Sequence, residues 1–236
     1  MKIYFTRHGQ VLPTEFIGTV DFPKGDIPLS ELGKRQAACV GRELAARGFA
    51  GVIYSSPYDR TATTANIIAE GCGASVYVDS ALREKIFVEA EAKLFHGLTA
   101  QQLKERFPRI ARDARLEYPW WTTNVDTIAD IAERVSGFWD RILDSDHDEV
   151  FAVVHGATQV GSTYYFNKRF HLGLPEDVYE LEEFLIPRFL NCNLSCIELD
   201  GKKELVSAHL LSTAHLSDEL LTSNSNAVVR PEEIIL

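Results

Sequence analysis

Cysteine, methionine and long apolar runs are all scarce in this chain of 236 residues. The four cysteines, Cys39, Cys72, Cys192 and Cys196, show no paired zinc-type spacing, and so few thiols over this length do not describe a disulfide framework. They read as reduced packing residues without thiol chemistry. No uninterrupted apolar stretch approaches membrane-spanning length, and the run from Lys2 to Thr6 is too short for a signal peptide. A soluble cytoplasmic protein is expected. Positive charge is also short: 24 lysines and arginines against 34 aspartates and glutamates leave a formal net charge of -10. That field repels nucleic acid and acidic membranes, so an anionic partner has to be small and held by a local group of cations. Internal repeats, low-complexity tracts and obvious linkers are missing as well, so residues 1–236 read as one domain, and a hydrophobic share of 45% predicts a packed core.

What is present is a pair of apolar runs with the same ending. Lys2-Ile3-Tyr4-Phe5-Thr6 leads into Arg7-His8-Gly9, and Val150-Phe151-Ala152-Val153-Val154 leads into His155-Gly156. Each reads as a buried strand that delivers an imidazole to its carboxyl end, where ligands bind in open α/β sheets. Between them, Ser30 caps a helix through Leu32, Ala37, Val40 and Leu44 that stops near Gly48. Val52-Ile53-Tyr54 reads as a strand, Asp59 to Glu70 as a helix ending at Gly71, and Val76-Tyr77-Val78 as a short strand. This β-α-β-α order predicts a parallel sheet flanked by helices. Ala81 to Thr123 is expected to be mainly helical, with breaks at Gly97, Pro108 and Pro119, and Trp120 and Trp121 read as packing. A helix over Asp126–Leu143 precedes the second His-Gly strand, and helix over Ala157–Phe166 follows it. Leu194–Leu199 and Glu204–Ala208 form a hairpin around Asp200-Gly201, and the tail from Ser217 has no assignment.

Arg7 directly precedes His8, and Arg60 opens the helix after Ser55-Ser56-Pro57, just beyond another strand end. Two guanidinium forks, two imidazoles and a helix N-terminus suit the oxygens of a phosphoryl group. A neutral imidazole is nucleophilic near pH 7. Lys24, in the Gln10–Pro28 loop, reads as solvated. So do His96, His147 and His171, with His209 in the core or on the surface, His215 at a possible rim, and Tyr164 and Tyr165 in the core.

Thr6-Arg7-His8-Gly9-Gln10, Asp26-Ile27-Pro28-Leu29-Ser30 with Gly33 and Gln36-Ala37, Ser55-Ser56-Pro57-Tyr58-Asp59-Arg60-Thr61-Ala62, Leu82-Arg83-Glu84, Val154-His155-Gly156 and Asn193-Leu194-Ser195 occur in that order. Together they resemble the histidine phosphatase superfamily, in its phosphoglycerate mutase-like branch. The resemblance implies a three-layer α/β sandwich with a mostly parallel central sheet and a helical insertion at about residues 85–125. It implies that His8 becomes phosphohistidine, that Arg7, Arg60 and His155 cradle the phosphoryl oxygens, and that Glu84 protonates the leaving oxygen. Glu89 and Glu91 follow closely and stay candidates for that last role. Neither metal nor cofactor is required, the partner is a small phosphorylated substrate, and a homo-oligomer is compatible with the sequence. Gln10-Val11 and Lys85-Ile86-Phe87-Val88 stand where the mutases carry an acidic residue with Ser or Thr and an Arg-His-Tyr-Gly type run. Both departures favour a phosphatase; phosphoglycerate mutase-type transfer and a silent phospho-ligand-binding regulatory module are the alternatives.

Overall fold

The computed structural model describes residues 1–13, 26–86, 95–112, 114, 116–122, 125–223 and 234–236. The two apolar runs become β1 (Lys2–Arg7) and β4 (Glu149–Val154), which pair in parallel with Arg7 opposite Val154. On the other side of β4 lies β2 (Val52–Ser55), parallel and with Ser55 opposite Val153, and β3 (Val76–Val78) follows in parallel. The carboxyl ends of β2, β4 and β1 therefore form one line. Beyond β1 the sheet reverses: β5 (Leu194–Leu199), β6 (Leu205–Ser212) and β7 (Ile234–Ile235) join antiparallel, giving the order β3-β2-β4-β1-β5-β6-β7. The three-layer α/β fold is present, with a mixed sheet whose parallel block carries the two His-Gly ends.

Both faces of that block are covered, which is why its strands read as unbroken apolar runs rather than alternating ones. On one face Tyr4, Ile53, Phe151 and Val153 pack under α1 (Glu31–Ala46) and α2 (Asp59–Cys72), joined by Leu103 of α3 (Ala100–Arg106). On the other, Ile3, Phe5, Val150, Ala152 and Val154 pack under α4 (Ile128–Leu143), α5 (Gly156–Phe170) and α6 (Val178–Leu185). Phe5, Trp139 and Phe166 are wholly buried and in mutual ring contact at 5.0 to 6.0 Å. Each such side chain contributes about 1.5–3 kcal/mol, more than the roughly 1 kcal/mol of a helix cap. Burial therefore sets the architecture, and caps trim its edges. Among the described residues no helix is long and apolar enough to cross a membrane.

Several local expectations change. α2 runs past Gly71 to Cys72 and ends at Gly73, whose φ of 79° supplies the left-handed turn. Gly71 instead lies against Gly41 of α1, where an added Cβ would come within 3.0 Å of backbone. The described part of 81–123 is not mainly helical: it holds the end of a one-turn 3-10 segment, Ser80–Leu82, and one helix, α3. Arg109 to Ala111 instead hydrogen-bonds along Val76, covering the β3 edge, while Phe95 and Trp120 form a separate cluster with Tyr58. Gly97 is small because Trp120 covers it, a Cβ there meeting the indole. α5 extends to Phe170 and β6 to Ser212. In the tail, Leu220 packs into the core on the α1 face, and Ile234–Ile235 is strand; Asn224, Ser225 and Asn226 lie outside the described residues.

One contact ties the start of α1 to the first His-Gly turn. A Cβ on Gly33 would lie 2.1 Å from the Gln10 carbonyl oxygen, and one on Gly9 would lie 2.4 Å from that of Gly33. Backbone cannot yield there as a flexible side chain would. Gly33→Ala is expected to lower the urea midpoint by an amount worth about 2–3 kcal/mol, whereas Gly137→Ala, in open space on α4, should raise stability by up to about 1 kcal/mol. Equal effects of the two in urea unfolding would refute the crossing as a constraint.

Candidate active site

His8 continues the ladder past β1, its amide donating to the Val154 carbonyl at 3.0 Å. Its carbonyl accepts from Asn191 Nδ2 at 3.0 Å, and the next amide, of Gly9, donates to Thr64 Oγ1 at 3.1 Å. The backbone is thus fixed on three sides. The ring is fixed too, with Nδ1 2.8 Å from the Gly9 carbonyl oxygen. A carbonyl only accepts, so Nδ1 carries the proton and the lone pair falls on Nε2. Burial, then Arg60 and Arg7, hold the ring well below the usual histidine range, so it is neutral.

His155 sits at the N-cap of α5, wholly buried, with its ring centroid 5.3 Å from that of His8. Its Nε2 lies 2.8 Å from Ser56 Oγ and its Nδ1 3.7 Å from Glu84 Oε2. Burial, Arg60 and His8 keep it neutral as well. Glu84 is raised above the carboxylate range by burial, against the pull of Arg60, the Lys85 amide that donates to Oε1, Arg7 and Arg134. A carboxyl near these cations that still resists ionising can hold a proton for donation. Its segment is braced by Arg134 Nη1, which donates to the carbonyls of Ala81 and Arg83 at 2.7 and 3.0 Å, and by Thr158 Oγ1 to Arg83 at 3.0 Å.

The structure brings together all five residues singled out by sequence: Arg7, His8, Arg60, Glu84 and His155. Glu89, Glu91 and Lys24 lie outside the described residues. His215 is half-buried and its Nε2 lies 2.9 Å from the Cys192 carbonyl oxygen, and Cys192 is a buried thiol whose pKa burial raises. Tyr165 is core and donates to Asp140, while His96 and His171 are exposed.

Two contributors carried no role in the sequence reading. Asp26 is wholly buried; its Oδ1 takes Arg60 Nη1 at 3.2 Å and its Oδ2 takes the Asp59 amide at 2.5 Å. It caps α2, whose N-cap Tyr58 makes no side-chain bond, and aims the arginine. Tyr58 packs its ring 4.4 Å from the Arg60 guanidinium and 5.0 Å from the His155 ring, with Trp120 behind it at 5.1 Å. Arg7 and Glu84 face a cavity of about 640 Å³.

A mixed α/β sheet that sets two imidazoles, two arginines and a buried carboxyl at aligned strand ends has the donors that suit a phosphoryl group. The family profile of the histidine phosphatase superfamily (branch 1) matches residues 3–209, and the chain belongs to that superfamily. A probable phosphoglycerate mutase GpmB of Erwinia tasmaniensis is 28% identical over 228 residues, 94% of this chain and 97% of that one. Among solved structures, Bacillus stearothermophilus YhfR superposes with a TM-score of 0.57 at 22% identity, covering 86% of this chain and 93% of that one. A phosphoserine phosphatase variant from Entamoeba histolytica, in complex with phosphoserine, gives 0.54 at 21% identity over 92% and 99%. The fold is shared with both.

Burial pushes the Asp26 carboxyl up to about 7. Between the unfolded value of about 3.9 and 7, the folded chain holds a proton that the unfolded chain has released. Stability from this group is therefore full below about pH 4 and lost as pH rises through 7. Asp26→Asn should flatten that decline between pH 5 and 7.5 in urea unfolding and, above that range where Asp26 is ionised, weaken inorganic phosphate binding on the order of tenfold, as expected when a charge-assisted contact is lost. Unchanged pH slope and unchanged phosphate affinity would remove Asp26 from the site.

Proposed function

We propose that the protein is a phosphatase that hydrolyses a phosphate monoester through a phosphohistidine on His8, without metal or cofactor. The observation that carries this reading is the His8 tautomer, with Nδ1 tied to the Gly9 carbonyl and an unprotonated Nε2 beside Arg7, Arg60 and His155. Nε2 attacks phosphorus, the phosphorus–oxygen ester bond breaks, and Glu84 gives its proton to the departing oxygen. Glu84, now a carboxylate, takes a proton from water as that water attacks phosphorus. The phosphorus–nitrogen bond breaks, releasing inorganic phosphate and restoring His8 and the protonated Glu84. The arginines neutralise the oxygens throughout, a task that metal ions perform in kinases, and the neutral second imidazole serves them as a hydrogen-bond donor.

Phosphoglycerate mutase-type transfer is the second reading, because the Erwinia relative carries that name. It requires the phosphoryl group to return to a bound product. The hydrolytic reading is favoured by Gln10-Val11 and Lys85-Ile86-Phe87-Val88, which depart from the mutase runs at those positions. Ile86 is buried, whereas the mutase-type run would put a histidine at that position.

His8→Ala is expected to abolish both covalent labelling from a radiolabelled phosphate monoester and turnover. Glu84→Gln should slow an alkyl phosphate by about 10²–10⁴-fold and an activated aryl phosphate much less, since a good leaving group needs little protonation. Full activity in His8→Ala would overturn the mechanism. Exchange of the phosphoryl group between positions of phosphoglycerate, faster than its hydrolysis, would establish the mutase reading instead.

A further inference from the structure

The phosphoryl cradle opens directly onto an apolar wall. A Cβ built on Gly156 would lie 4.0 Å from both Arg7 Nε and Phe189 Cδ2, so the arginine and the ring both border that glycine. From there the cavity of about 640 Å³ runs between the first turns of α5, through Ala157 and Val160, and the end of α6 with its following 3-10 turn, Ile186–Arg188. Such a volume exceeds the needs of a phosphate group and falls in the range of pockets for small organic molecules. Apart from the cradle residues, its named walls are apolar but for Ser223 and one charged group, Glu182. Glu182 lies one helical turn before Ile186, whose amide donates to the Glu182 carbonyl. No hydrogen bond or ion pair engages its side chain among the described residues. The nearby cation, Arg188, is committed elsewhere: Nη1 donates to the Phe184 carbonyl, and the guanidinium covers the Phe184 ring at 4.1 Å. Ile186, 57% exposed, stands at the rim.

We propose that this cavity seats the leaving group of the substrate, and that the leaving group is an apolar alcohol bearing an ammonium group at its far end, paired with Glu182. The assignment rests on the phosphatase reading for the word leaving group, but its geometry stands on the cradle, the apolar wall and the unpartnered carboxylate. An anionic tail, such as the carboxylate of phosphoglycerate, would face Glu182 across a low-dielectric wall and be repelled. A neutral hydroxyl or amide tail would donate one hydrogen bond to Glu182 but leave its charge uncompensated. An ammonium completes a pair that the described residues leave half made, and an apolar body shields the pair from screening.

Three phosphonates of equal chain length, ending in an ammonium, a methyl or a carboxylate, test the assignment by calorimetry, beside hydrolysis of the matching phosphate monoesters. The ammonium ligand is expected to bind on the order of tenfold more tightly than the carboxylate ligand. That preference should appear in KM rather than kcat. Glu182→Gln should erase the preference for ammonium, and Glu182→Lys should invert it in favour of carboxylate. Ile186→Asp, at an exposed position that tolerates change, should weaken the methyl ligand most. An affinity order in wild type that is flat, or that Glu182→Lys leaves unmoved, overturns the subsite. If the order holds but none of the three monoesters is hydrolysed, the subsite stands and the phosphatase reading falls.

Discussion

The parallel pairing of β1 with β4 is the constraint on which everything else rests. Because Arg7 faces Val154 in that register, the residues that follow, His8 and His155, leave the sheet side by side. A slip of one residue would turn every side chain of a strand to the opposite face, and here both faces are packed cores. Ile3 and Phe5 would exchange places with Tyr4, against clusters already filled. The spacing of the imidazoles is therefore enforced by several fully buried side chains, each far more costly to displace than the contacts at the site are worth.

Placing two imidazoles in a buried pocket with two arginines decides their charge. Neither can be protonated cheaply there, so positive charge resides in guanidinium groups, which do not titrate near neutrality, and nucleophilicity resides in the rings. The arginines in turn need holding. Arg60 is held by Asp26 and by the face of Tyr58, while the neighbouring Asp59 is tied to Arg106 at 2.8 Å, linking α2 to α3. Buried ion pairs of this sort give little net stability. Their effect is directional: they set where a guanidinium points, and the segment that carries α3 thereby becomes part of the support of the site.

Much of this was legible in the sequence because the signals were local. A strand ending in His-Gly, an arginine beside the histidine, and a second arginine opening a helix after Ser-Ser-Pro each announce themselves within a few residues. Asp26 does not, since its work is done on partners 33 and 34 positions away that only the fold brings near. Glu182 is hidden for a different reason. It sits between Leu181 and Leu185 in an ordinary amphipathic pattern, and its isolation shows only once Arg188 is seen bonded to Phe184. The helix stop was misplaced by two residues because two glycines compete, and only one of them has the positive φ; the other exists for contact with α1. Between 81 and 123 a mainly helical expectation fails in the described part, where Phe95 and Trp120 pack on Tyr58, a partner distant in sequence.

That aromatic cluster has a further consequence. His155, Tyr58 and Trp120 meet edge to face in succession, at 5.0 and 5.1 Å, and the Trp120 indole nitrogen is anchored to the Leu98 carbonyl at 2.8 Å. Rings packed this closely cannot rotate or shift independently. A ligand that displaces the second imidazole must press on the phenol and, through it, on the indole. The molecule therefore carries an ultraviolet emitter of its own, linked by two ring contacts to an imidazole of the phosphoryl cradle.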